Sequence, residues 1–143
     1  MRPFLLDVNV LIALVDPTHV HHDTAHHWFA DLGHKAWASC ALTEMGLLRI
    51  VGNPRYPGSP GSPVAVMPLL RQLRALPGHR FWTDPVSLAD TERIDAERLL
   101  DHAQLTDTHL LALAVAHGGM LATFDRKLSP RAVMGGEAAL HLI

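Results

Sequence analysis

Two apolar runs, each ending on an aspartate, constrain this chain more than any other feature. Phe4-Leu5-Leu6 meets Asp7, and Met120 to Phe124 meets Asp125. A short all-apolar run fits either a buried strand or a piece of helix. The Asp7-x-Asn9 turn signal decides the first for strand. Strands buried on both faces belong to parallel sheets covered by helices, and the segments between the two runs supply the helices. Val8 to Val15 reads as a helix stopped by Asp16-Pro17, and His19 to Leu32 as a second, closed by Gly33 in a left-handed capping conformation. Ala25, Trp28, Phe29 and Leu32 recur at helical steps, so one face of that helix is buried.

Ala36-Trp37-Ala38 is the next expected strand, and Ser39 is placed to cap a helix from Cys40 to Val51. Residues 52 to 63 carry four prolines, three glycines and two serines, and are expected to form a mobile loop. Leu69 to Leu76 reads as a helix begun by Pro68, and His79 to Thr83 as a strand. A further helix is expected somewhere within Asp95 to His102. Thr106 to His117 is the clearest helix, with Thr106 as its cap, Asp107 in its first turn and Gly118-Gly119 at its end. The alternation predicts an α/β fold: a central, mostly parallel sheet with helices on both sides. With 143 residues, 48% of them hydrophobic, no repeat and no visible boundary, one domain over 1–143 is expected.

The formal charge of -2 does not suit a protein that binds nucleic acid mainly through a broad basic surface. A single cysteine, Cys40, rules out an internal disulfide. No apolar run is long enough to span a bilayer and no leader is evident, so a soluble, cytoplasmic protein is expected.

Asp31, Asp84, Asp90, Glu92, Glu97 and Asp101 lie in polar surroundings and suggest no special role. Four acids differ. Asp7 and Asp125 stand at the carboxyl ends of expected strands, the edge at which open α/β sheets bind ligands. Glu44 lies between Ala41-Leu42 and Met45-Gly46-Leu47-Leu48, where a charge is costly unless solvated or paired. Asp107 opens a strongly apolar helix. Taken singly, each has an ordinary alternative: an Asx turn for Asp7, an exposed stripe for Glu44, a helix-start acid for Asp107 and a turn acid for Asp125. Taken together, they converge on one edge. Clustered carboxylates repel one another unless cations are present, and hard oxygen donors select magnesium or manganese over zinc. Such ions can activate water and orient a phosphodiester, which implies in-line hydrolysis.

At these residues the chain resembles the PIN domains, and among them the VapC-type toxins of bacterial toxin–antitoxin pairs. The resemblance is carried by Leu5-Leu6-Asp7-Val8-Asn9-Val10-Leu11 and Leu42-Thr43-Glu44-Met45-Gly46-Leu47-Leu48-Arg49. It continues through Leu105-Thr106-Asp107-Thr108-His109-Leu110-Leu111 and Leu121-Ala122-Thr123-Phe124-Asp125. The order and spacing of these fragments, more than any one of them, are specific. The resemblance implies a PIN fold and a magnesium- or manganese-dependent endoribonuclease toxin acting on transfer or ribosomal RNA. It implies Asp7 and Asp107 as leading metal ligands, with Glu44 third and Asp125 the more variable fourth. Asn9 and Thr106 would support them by hydrogen bonds. It also implies an antitoxin that covers the site, and a homodimer. Two other readings stay open: an inactive PIN scaffold that only binds a partner, and a DNA-directed nuclease on the same fold.

His19, His21, His22, His26 and His27 fall within nine residues, and His22 and His26 share a helix face. With no cysteine beside them, surface histidines are expected rather than a zinc site. His109 reads either as a group near substrate or as a partly buried helix residue. Arg126 and Lys127 beside Asp125, and Arg49 beyond Glu44, are candidates for RNA phosphate contact, or for an acidic antitoxin segment. Trp28 and Trp37 are expected in the core, and Trp82 is undecided.

Overall fold

The computed structural model describes all residues from Met1 to Ile143. Strand β1 (Phe4–Leu6) leads through Asp7 into α1 (Val8–Val15), followed by α2 (His22–Asp31) and β2 (Trp37–Cys40). Next come α3 (Ala41–Val51), α4 (Pro63–Arg74) and β3 (His79–Trp82). Two 3-10 turns, Ala96–Arg98 and His102–Gln104, precede α5 (Leu105–Ala116). The chain closes with β4 (Met120–Thr123), α6 (Gly136–Ala139) and β5 (Leu140–Leu142). All five strands form one parallel sheet in the order β3-β2-β1-β4-β5.

The apolar runs are continuous because both faces of the sheet are buried. Phe4, Leu6, Trp37 and Ala122 pack on one side with residues of α1, α3 and α4. Leu5, Ala38, Cys40 and Leu121 alternate to the other side, against Leu110, Leu111 and Leu113 of α5. Leu5, Leu6 and Leu121 have no exposed surface, and burying each such side chain stabilises the fold by about 1.5–3 kcal/mol.

Several boundaries differ from expectation for identifiable reasons. Gly33 is not left-handed; it lies in a 3-10 turn, and its lack of a side chain makes room for Trp28, whose ring would stand 2.5 Å from an added Cβ. A left-handed glycine does follow α5, where Gly118 has φ 68°. Ser39 belongs to β2 rather than capping α3; Cys40 is the N-cap, and its backbone N–H donates to Thr43 Oγ1 at 3.0 Å. Helix α4 begins at Pro63, behind the capping hydroxyl of Ser62, so Pro68 lies inside it. The helix expected within Asp95 to His102 is replaced by the two 3-10 turns. The second of them, with Asp101 accepting from Ala103 N and Gln104 Oε1 from Asp101 N, starts α5 in place of a Thr106 cap.

The proline-rich segment is pinned: Tyr56 donates its hydroxyl to Asp16, and Ser59 donates to the Val51 carbonyl at 2.6 Å. Trp37 and Trp82 are both buried, and Trp82 stacks on His117. Trp28 packs at the margin of the core, where its indole N–H donates to His141 Nε2 at 3.1 Å. No helix is long and apolar enough to cross a membrane.

Candidate active site

Chain order runs outward from β1 in one direction through β2 and β3, then jumps to β4 on its other side. The crevice beyond the carboxyl ends of β1 and β4 is therefore a topological switch point, the place where parallel sheets hold ligands. Asp7 follows β1 there and Asp125 follows β4 by two residues.

Asp7 is only 7% exposed and serves as the N-cap of α1. Its Oδ1 accepts from Val8 N at 2.7 Å, and its Oδ2 from the Thr123 hydroxyl at 2.7 Å. Burial pushes its pKa up, the two hydrogen bonds pull it down, and Asp125 adds a further upward push. Asp107, half-buried in the first turn of α5, has its pKa raised to about 6 by desolvation, then by Asp7 and Asp125. Three carboxylates from three elements thus act on one another. No three histidine, cysteine or acidic side chains are gathered tightly enough to grip an ion as they stand. The chemistry of the donor set nevertheless suits a divalent cation: hard oxygens only, with a carboxylate whose ionised form is penalised by burial and by its acidic neighbours, a penalty that positive charge removes.

Glu44 is placed differently. From α3 it reaches back to β2, where Ser39 Oγ donates to its Oε2 at 2.6 Å. Arg74 of α4 stands 3.5 Å from its Oε1. The charges acting on Asp107 are those of Asp7 and Asp125, without a contribution from Glu44.

One hydroxyl organises the switch point, and no residue-by-residue reading singled it out. Thr123, fully buried at the end of β4, donates to Asp7 and accepts from Asn9 Nδ2 at 3.2 Å and from Asp125 N at 3.0 Å. Asn9 Oδ1 in turn faces Phe124 N at 3.4 Å. The available signal was a lone hydroxyl in an apolar strand two residues before an acid, since a buried polar group requires partners. Thr106 is exposed and makes no side-chain hydrogen bond, while its neighbour Thr108 is buried with its hydroxyl unpaired.

Asp84, expected to be an ordinary surface acid, meets His109 Nε2 at 2.5 Å and ties the segment after β3 to α5. His22 and His26 face the carbonyls of Ala13 and Leu14 at 2.7 and 2.8 Å. They satisfy groups that the end of α1 leaves without helical partners, a structural task that explains their spacing. His21 stacks on Phe124 with centroids 4.4 Å apart. Arg126, Lys127 and Arg49 are exposed; Arg126 and Lys127 directly follow Asp125, whose Oδ1 accepts from Lys127 N at 2.9 Å.

Comparison with known proteins adds an independent line. Residues 4–133 match the PIN domain family model. The chain is 46% identical over 131 residues to a Mycobacterium tuberculosis protein named Ribonuclease VapC44, covering 92% of each chain. It is 41% identical to Ribonuclease VapC39 of the same organism, covering 92% of this chain and 94% of the relative. Ribonuclease VapC38, also from that organism, is 42% identical over 121 residues, covering 85% of this chain and 84% of its own.

Proposed function

The chain belongs to the PIN domain family, and from that premise we propose that it is a divalent-metal-dependent endoribonuclease, the toxin of a toxin–antitoxin pair. The observation that carries this reading is the gathering of Asp7, Asp107 and Asp125 at the switch point, where burial first, and then the charges of Asp7 and Asp125, raise the Asp107 pKa to about 6. Relatives named as ribonucleases cover nearly the whole chain, which favours catalysis over a binding-only scaffold and RNA over DNA.

Asp7, Asp107 and Asp125, joined by Glu44, would hold magnesium or manganese. When bound, the ion supplies positive charge and Lewis acidity to a phosphodiester. The protein's own contribution is to keep these carboxylates fixed before substrate arrives. Thr123 anchors Asp7 and the Asp125 backbone together, Asn9 braces Thr123, Asp7 caps the start of α1, and α5 carries Asp107 in its first turn. Arg126 and Lys127, exposed beside Asp125, provide phosphate contacts that lead the RNA past the acids. Arg49 lies farther along α3 and extends that track or meets the antitoxin. Residues 1–143 act as one domain, since β5, beyond the matched span, completes the same sheet. The antitoxin is a short protein that covers the acid edge, and the toxin forms a homodimer. Transfer or ribosomal RNA is the substrate class that the family resemblance favours.

Purified protein should cut RNA with magnesium or manganese and leave single-stranded DNA intact. Asp7→Asn and Asp107→Asn should each lower cutting by at least about a hundredfold, in line with the loss of a group that stabilises transition-state charge. Undiminished cutting in EDTA, or by both variants, would overturn the reading.

A further inference from the structure

Glu44 is the one acid of the four that a chain of side chains holds from outside the switch point. A carboxylate can only accept, so the single proton of the Ser39 hydroxyl points to Glu44 Oε2, 2.6 Å away. The other short contact of Ser39 Oγ, 2.7 Å to His79 Nε2, must then be donated by the histidine. The result is a directed chain: His79 Nε2–H to Ser39, and Ser39 O–H to Glu44, crossing from edge strand β3 through β2 to α3. Each link is geometrically constrained. Ser39 is 1% exposed. His79 lies against the buried ring of Trp37 with centroids 4.6 Å apart, and parallel register pairs His79 with Trp37 and Ser39 with Phe81. Burial first, then Arg74, holds the His79 pKa below its ordinary value. This favours the neutral ring, whose Nε2–H tautomer the chain requires.

The other contact on Glu44 is of a different kind. Arg74 is 45% exposed, stands at 3.5 Å, and also lies over the Phe81 ring at 5.1 Å. An exposed pair of that length contributes little, whereas a short buried hydrogen bond to a carboxylate is strong and directional. Each Glu44 oxygen also keeps a second lone pair free for another partner.

We propose that Ser39 and His79 are positioning residues that fix the Glu44 carboxylate for its role in the acid site, with Arg74 dispensable for that task. The inference rests on Glu44 belonging to the acid set, and the test separates the two ideas. Calorimetric titration with manganese alone, on the full chain, reads the site without RNA. Asp7→Asn should abolish binding and Glu44→Gln should weaken it. Ser39→Ala should weaken it by about ten- to a hundredfold, the range expected when a group that orients a metal ligand is lost. Ser39→Thr, which keeps the hydroxyl, should restore most of the affinity. His79→Leu should weaken binding and His79→Gln should retain it, because the glutamine amide can donate from the same place. Arg74→Gln should change affinity less than threefold. In RNA cleavage, Ser39→Ala should lower kcat and leave KM nearly unchanged.

Wild-type manganese affinity in Ser39→Ala and His79→Leu, beside weakened binding in Glu44→Gln, would overturn the positioning role and leave the acid site standing. Wild-type affinity in Glu44→Gln would overturn it as well, by removing Glu44 from the set. Wild-type affinity in Asp7→Asn would instead overturn the site itself. Should Ser39→Ala fail to fold, the His79 pair decides the matter from a half-buried position.

Discussion

Asp107 carries a charge that the folded protein resists, and this gives the metal-free molecule a measurable signature. Its pKa rises from 3.8 to about 6 because desolvation and the charges of Asp7 and Asp125 all penalise its ionised form. Between those values the folded chain binds a proton that the unfolded chain has released. The contribution to stability is therefore full below about pH 4 and is lost as pH rises through about 6. Asp7, also raised, acts in the same direction. Asp107→Asn removes the penalty at neutral pH, so in EDTA at pH 7 the variant should be the more stable. After allowing for solvent screening at a half-buried side chain, the gain is about 1 kcal/mol. The difference between the two proteins should vanish near pH 4 and grow toward pH 7. Saturating manganese should reverse the order, since only the wild type binds it well and binding stabilises by mass action. Calorimetric unfolding over that pH range decides; a variant no more stable than wild type at pH 7 in EDTA would remove the electrostatic basis of the site. Thr123 complements this at the same scale, because its hydroxyl holds Asp7 where burial alone would not keep a charge.

At the level of elements, what was legible in the sequence was what burial imposes on composition. Strands β1 and β4 read correctly because both faces are covered and both runs are apolar, and α5 because its buried face leaves little room for polar residues. All four acids were expected on one edge for the same reason, that they interrupt or border apolar runs; of these, Asp7, Asp107 and Asp125 act on one another, while Glu44 is held by Ser39 and Arg74. The rest depends on partners distant in sequence. Leu140-His141-Leu142 is too short to declare itself a strand until β4 is beside it. The pairing of Ser39 with His79 spans forty residues of chain, and Thr123 reads as an ordinary strand threonine until Asp7 is opposite. Helix α4 shows the reverse case, where local preference misleads. Pro68 looks like a helix start, yet it is the sixth residue of a helix that Ser62 and Pro63 begin. It cannot donate to the Val64 carbonyl, and the helix tolerates it because Val66 and Leu70 are buried on either side while Pro68 itself is exposed. Pro68→Ala should therefore stabilise the protein by about 1–3 kcal/mol, the lost backbone hydrogen bond and ring clash outweighing the looser unfolded chain. A urea midpoint equal to or below that of wild type would show that the proline is accommodated without cost.

Across the whole molecule, the acid edge depends on the far end of the chain. Strand β5 covers the outer edge of β4 in register, with Leu121 opposite Leu140 and Thr123 opposite Leu142. Ile143 N donates to the Thr123 carbonyl at 3.0 Å, so the backbone of the residue that anchors Asp7 is itself held by the C-terminal residue. Arg2 ties the opposite terminus to this layer by donating to the Ala138 carbonyl at 2.9 Å. The family match ends at residue 133, before either α6 or β5 begins. A chain ending at Met134 would thus keep Asp7, Glu44, Asp107 and Asp125 and lose the strand that seals the sheet. Exposed β4 would present unpaired backbone groups along an apolar edge, which invites association. The truncated protein should unfold at lower urea, bind an apolar dye and self-associate. Its manganese affinity should fall because Thr123 loses the backbone restraint that sets its hydroxyl against Asp7. Point variants separate these effects: Leu140→Ala should cost stability, by about 2 kcal/mol or more for a partly buried leucine, with manganese affinity nearly intact while the strand remains paired. Equal affinity in the truncated and full chains would show instead that Asp7, Thr123 and Asn9 hold their arrangement from β1 and β4 alone, and that β5 serves only to close the sheet.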